Sequence, residues 1–98
     1  MTIERIENGT ELTLILAGRL DTMTSKQLEN EVVLFDGKES ALLDFSKVEY
    51  VSSAGLRVLL VMQKKMNAQG GSMKLVGVIP EVNEIFEITG FSNILTIE

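Results

Sequence analysis

The residues most suited to chemistry lie in one stretch, Tyr50-Val51-Ser52-Ser53-Ala54-Gly55-Leu56-Arg57-Val58-Leu59-Leu60. Adjacent serine hydroxyls stand where a loop turns into a helix. A serine at such a point can cap the helix, because its oxygen accepts a backbone N–H that the first turn leaves unpaired. It can also carry a phosphate, since the positive end of a helix favours an anion by about 0.3–1 kcal/mol when exposed. The free helix tolerates that charge; an apolar partner docked over it does not.

Catalytic readings of the same residues fail. A serine-hydrolase elbow needs Gly-x-Ser-x-Gly, and the first glycine position relative to Ser53 is Val51. The chain has no His and no Cys, which removes the Ser-His-Asp triad, thiol nucleophiles and Cys or His metal sites. No glycine-rich phosphate loop is present, and Gly70-Gly71 reads as a helix terminator. Asp21 and Asp44 are carboxylates at expected strand ends, but without a third ligand they read as turn and cap residues. Glu81, Glu84 and Glu87 recur at helical spacing and read as a solvated face. No enzyme, cofactor or metal site is expected.

The chain has 98 residues, the length of one domain, taken as residues 1–98. Its 45% hydrophobic and 23% charged composition fits a packed globule. The net charge is −5 and the nine basic residues are scattered, which argues against nucleic-acid binding. No apolar run approaches the ~20 residues of a membrane span, and Met1-Thr2-Ile3-Glu4-Arg5 lacks a signal-peptide pattern. A cytoplasmic protein without direct membrane insertion is expected.

The elements that position the serines follow from periodicity. Thr2 to Glu7, the turn at Asn8-Gly9, and Glu11 to Ala17 predict an antiparallel hairpin, with Leu12, Leu14 and Leu16 on its buried side. Gly18-Arg19-Leu20-Asp21 is expected to leave the strand. Thr22 to Phe35 reads as a helix capped by Thr24 or Ser25, with Leu28, Val32 and Phe35 as its stripe, ended by Asp36-Gly37-Lys38. Ser40 to Phe45 predicts an interior strand, and Ser46 to Tyr50 a connector. A second helix runs from Val51 to about Gln69; Leu56, Leu59, Leu60 and Gln63 share a face that Val58, Val61 and Met62 widen. Met73 to Val78 is a strand. Pro80 opens a third helix with Val82, Ile85 and Phe86 inward and Gly90 at its end. Asn93 to Ile97 closes as a strand. The order β-β-α-β-α-β-α-β predicts an α/β fold: a mixed sheet that starts with an antiparallel hairpin and continues with parallel strands, with helices packed on it.

Asp44-Phe45-Ser46-Lys47-Val48-Glu49-Tyr50-Val51-Ser52-Ser53-Ala54-Gly55-Leu56 resembles the signature of STAS domains, and more narrowly that of bacterial anti-sigma factor antagonists. Gly18-Arg19-Leu20-Asp21, Ala68-Gln69-Gly70-Gly71, Val78-Ile79-Pro80 and Ile88-Thr89-Gly90-Phe91 extend the resemblance along the whole chain. The resemblance implies partner switching. Such an antagonist binds an anti-sigma factor that is also a serine kinase, and so frees the sigma factor. The kinase phosphorylates the antagonist in Asp-Ser-Ser/Thr-Gly-Leu, and a phosphatase reverses this. Aligned on Gly55-Leu56, the acceptor falls on Ser53; Ser52 stands where the pattern has Asp, and Ala54 where it has the next hydroxyl. Asp21 matches an Asp near the acceptor. The implied partner-binding residues are Asp21, Thr22, Ser52, Ser53, Ala54, Gly55 and Arg57. The resemblance also leaves open a constitutive, unphosphorylated subunit of an ABC-type lipid-transport or signalling complex, toward which Ser52 in place of Asp points.

Overall fold

Alternating apolar residues build the centre of the molecule, whose computed structural model describes residues 1–98. Leu12, Leu14 and Leu16 of β2 (Glu11–Leu20) lie on one face of the sheet with Ala41, Leu43 and Phe45 of β3 (Ser40–Val51) and Met73 and Leu75 of β4 (Ser72–Val76). Each is buried, as period-2 patterning requires. β1 (Thr2–Asn8) pairs antiparallel with β2, and β5 (Thr96–Ile97) pairs parallel with β4. The sheet order is β1-β2-β3-β4-β5, with β2 to β5 all parallel.

Because each parallel strand sits beside the previous one, every crossover steps the same way. Right-handed crossovers then put all their helices on one face. These are α1 (Ser25–Glu29), α2 (Ser53–Ala68) and α3 (Pro80–Thr89). Leu28, Leu59, Met62, Met66, Val82 and Phe86 join the strand residues in one buried cluster, and the Phe86 ring lies 6.1 Å from that of Phe45. The expected element order and mixed sheet therefore hold, and all three predicted core residues of the hairpin face inward.

The segment between β2 and β3 departs from expectation. In place of one helix over Thr22 to Phe35 there is the short α1, then a separate 3-10 turn at Val32–Phe35. The hydrogen bonds Glu31 N–H to Leu28 O, Leu34 N–H to Glu31 O and Asp36 N–H to Val33 O show the tighter pattern. Tertiary contacts explain the break. Arg5 of β1 grips the buried Glu31 through Nε and a terminal nitrogen, at 2.6 and 2.8 Å. Val32 and Val33 add β-branched strain to any continued helix. Gln69, just beyond α2, donates both amide hydrogens, to Phe35 O at 2.7 Å and Lys38 O at 3.0 Å. Lys65 pairs with Asp36 beside them. Gln69→Ala is expected to lower stability by about 1–2 kcal/mol, two hydrogen bonds' worth, as read from the urea midpoint. An unchanged midpoint would show that water replaces the amide at no cost.

The other correction concerns Ser46 to Tyr50, expected as a connector. These residues are strand: β3 continues to Val51 against a β2 that continues to Leu20. Register shifts between Ile15 and Ala17 and between Gly18 and Arg19 break the alternation, so Val48 and Val51 are both buried although three residues apart. A bulged strand hides its period from the sequence. The final strand is also shorter than Asn93 to Ile97, because Phe91–Asn93 form a 3-10 turn.

Candidate functional site

The extended β2 and β3 create the site by leaving the sheet together. Leu20 pairs with Val51, so Asp21 and Ser52 follow side by side. The Ser52 N–H donates to Leu20 O at 2.8 Å, which ties the start of α2 to the end of β2. Ser52 has extended backbone (φ −87°, ψ 173°), and its Oγ accepts from the Gly55 N–H at 3.3 Å. Ser52 is therefore the cap. Ser53 is the first helical residue, exposed, and its hydroxyl makes no hydrogen bond within the chain. The cap and the free hydroxyl, both plausible for either serine in the sequence, thus fall on different residues.

Asp21 builds the facing turn. Its Oδ1 accepts from the N–H groups of Met23 and Thr24, both at 3.0 Å, and the Asp21 N–H donates to Thr24 Oγ1 at 2.9 Å. Thr24, expected as a possible cap of α1, spends its hydroxyl hydrogen on Arg19 O at 2.6 Å. Its backbone N–H, more than any other group, holds the Asp21 carboxyl below the usual carboxylate range, against desolvation; the Thr24 hydroxyl, the Met23 N–H and Arg19 add to this. A depressed folded pKa means the carboxylate's contribution is present above the unfolded value and is lost as pH falls through the folded one. The Met23 and Thr24 amide signals are accordingly expected to titrate together, with a midpoint below the ordinary aspartate value of about 3.9. A midpoint at or above that value in an NMR pH series would remove Asp21 as the keystone of this turn.

The predicted residues do not all face outward. Thr22, Ser53 and Arg57 are exposed; Asp21, Ser52 and Ala54 are half-buried. Gly55 is buried: a Cβ there would lie 2.7 Å from Leu20 Cγ and 3.0 Å from Leu20 O. Its small size serves the approach of α2 to the end of β2, a packing role beside the expected one at a partner surface. Arg57 has no ion-pair partner in the chain.

Other residues at this end escaped the sequence reading. Met23 is 84% exposed at the tip of the β2–α1 turn. Arg19 stacks over the Tyr50 ring, 4.4 Å from its centroid. Their proximity follows from the bulged β2–β3 register, which no local pattern announces. Val61, one of three residues expected to widen the helix face, is 41% exposed, whereas Val58 and Met62 are core.

Asp44 lies apart from Asp21. Its Oδ1 accepts from the Ser46 N–H at 2.9 Å, and Ser46 keeps its carboxyl below the usual range. No group of three or more His, Cys, Asp and Glu comes together to hold a metal. A depression of about 320 Å³, lined by Glu11, Thr13, Ser40, Leu42, Ser72 and Lys74 among others, opens at the start of the parallel strands, at the other end of the sheet from Ser53. No helix is long and apolar enough to cross a membrane.

A one-sided mixed sheet that presents a free serine at the start of its central helix makes this a small α/β domain. The family described as "Mlab, STAS domain" matches residues 4–96, and the chain belongs to the STAS domain family. BtrV of Bordetella bronchiseptica is 33% identical over 99 residues, covering 99% of this chain and 84% of BtrV. The anti-sigma-B factor antagonist of Listeria monocytogenes is 29% identical over 101 residues, covering all of this chain and 89% of that protein. An anti-sigma factor antagonist from Mycobacterium paratuberculosis shares the fold with a TM-score of 0.84 at 22% identity, over 98% of this chain and 83% of that one.

Proposed function

We propose that the chain is an anti-sigma factor antagonist that works by partner switching: it binds an anti-sigma factor with serine kinase activity, releases the sigma factor, and is switched off by phosphorylation at Ser53. The observation that carries this is the division of labour at α2. Ser52 holds the cap, which leaves the Ser53 hydroxyl exposed and uncommitted. Full-length similarity to a protein named as an anti-sigma-B factor antagonist supports the general role. Its relatives are regulatory binding proteins, and the chain is one of these rather than an enzyme.

In the switching step the kinase partner transfers the γ-phosphoryl group of a nucleoside triphosphate to Ser53 Oγ. The P–O bond to the leaving diphosphate breaks, and the hydroxyl proton passes to the kinase. A phosphatase restores the hydroxyl by hydrolysis. The phosphate carries about −1.5 to −2 charge at pH 7, next to free first-turn N–H groups that accommodate it without refolding. The partner-binding surface comprises Asp21, Thr22, Ser52, Ser53, Ala54 and Arg57, and we add the exposed Met23.

A second reading is a constitutive STAS subunit of an ABC-type lipid-transport or signalling complex. Ser52 favours it, because an Asp would cap α2 equally well and also mark the acceptor for a kinase. Capture of partners from native-cell lysate, with mass spectrometry of Ser53, separates the two. A serine kinase retained by the unmodified chain, with phosphate on Ser53 in the unbound fraction, is the expected result. A stable transport ATPase with Ser53 unmodified would overturn the switch.

A further inference from the structure

Arg57 is an exposed guanidinium without a carboxylate partner, in a chain where five ion pairs engage other Lys and Arg side chains. It follows Ser53 by four residues on the outward stripe of α2 that runs Ser53, Arg57, Val61 and Lys64, all exposed. Side chains four apart on a helix stand about 5–6 Å apart at Cβ, and an anion placed N-terminal to a cation is the favourable order. Arginine's planar fork matches two phosphate oxygens at once, which lysine's point charge does not. At the start of α2, the Gly55 and Leu56 N–H groups are taken by Ser52, which leaves those of Ser53 and Ala54 without an acceptor earlier in the helix.

We propose that a phosphate on Ser53 captures Arg57, so that the anion is held in cis between the guanidinium and the first-turn N–H groups. This rests on the reading of Ser53 as the phosphoacceptor and deepens it. Modification then changes two groups at the docking surface. It adds a dianion, and it withdraws the one free arginine at this end that an acidic group of a kinase partner can use. Arg19, the other arginine nearby, is already engaged with Tyr50 and Asp21. Asp21 works the other way: its carboxylate, on the turn facing α2, repels the phosphate. The contribution of Arg57 is therefore read with Asp21 held constant.

The test is a ³¹P NMR titration of the full chain with phosphoserine incorporated at position 53 during translation. The second phosphate pKa is expected to be lower with Arg57 present than in Arg57→Ala by about 0.2–0.4 unit, the equivalent of a helix-surface ion pair. Arg57→Lys should fall between them. The gap should close near ~1 M salt, where the screening length is about 3 Å. All three side chains point outward, so the folds should match by ¹H–¹⁵N spectrum. Equal values for Arg57 and Arg57→Ala at low salt would overturn the capture. The result does not depend on any kinase. A Ser53 left unmodified in cells would instead sink the switch and leave this pair intact.

Discussion

Ser53→Asp is expected to fold as the unmodified chain does and to bind its kinase partner about a hundredfold more weakly, a loss of about 2.8 kcal/mol. Folding should be spared because position 53 is the first residue of α2 and is exposed. A carboxylate there lies at the positive end of the helix dipole, where it is mildly stabilising. Binding should suffer because a partner covering the first turn must strip water from that charge, and an unpaired buried charge costs more than this figure. The controls separate charge from capping. Ser53→Ala should bind as the parent does. Ser52→Ala should lose about 1 kcal/mol of stability, since Ser52 Oγ accepts from Gly55 N–H. Calorimetric titration of the captured partner with each variant decides the matter. An unchanged affinity for Ser53→Asp would mean that the partner leaves the start of α2 uncovered.

What the sequence made legible was the part governed by local chemistry. Leu12, Leu14 and Leu16 alternate cleanly and are all fully buried. Pro80 and Gly90 bound α3 as expected, with Gly90 in the left-handed region at φ 81°. The expected start of α2 at Val51 lies two residues before the observed one at Ser53, and Ser52, one of the two candidate caps, is the cap. The failures share one cause, which is information held in another strand. Val48 looks like part of a connector, and Val51 like the start of a helix, until the shifted pairing with Gly18 and Leu20 is known. Val32 to Phe35 extend a plausible helical stripe, yet Arg5, Gln69 and Lys65 take up the groups around them from distant parts of the chain. Tertiary bonds override weak propensity there. The same reasoning explains the site. Ser53 was visible from its own neighbourhood, whereas Arg19, stacked on Tyr50, and Met23 in the turn that follows come to this end only through the β2–β3 register.

Gly55→Ala should destabilise the domain, although glycine inside a helix normally costs about 1 kcal/mol relative to alanine. The added Cβ would meet Leu20 Cγ at 2.7 Å and Leu20 O at 3.0 Å. The first contact is with a side chain that is itself completely buried, so it has little room to yield. Overpacking of this kind costs about 1–3 kcal/mol, which outweighs the gain in propensity. Against a total stability of about 5–15 kcal/mol that is a large effect, and the urea midpoint should fall with its slope unchanged. The second contact gives the substitution a functional consequence. Leu20 O is the acceptor that anchors Ser52 N–H, so pressure on it displaces the cap and Ser53 with it. Partner binding should weaken together with stability. Leu20→Ala supplies the decisive comparison. Alone it should cost about 2–5 kcal/mol for the lost core contacts. In that background the Cγ obstacle is gone, and most of the Gly55→Ala penalty should vanish, so the pair is strongly non-additive. A Gly55→Ala chain more stable than the parent would show that α2 can lift off β2 freely. The close junction of α2 and β2 would then not be what fixes the position of Ser53.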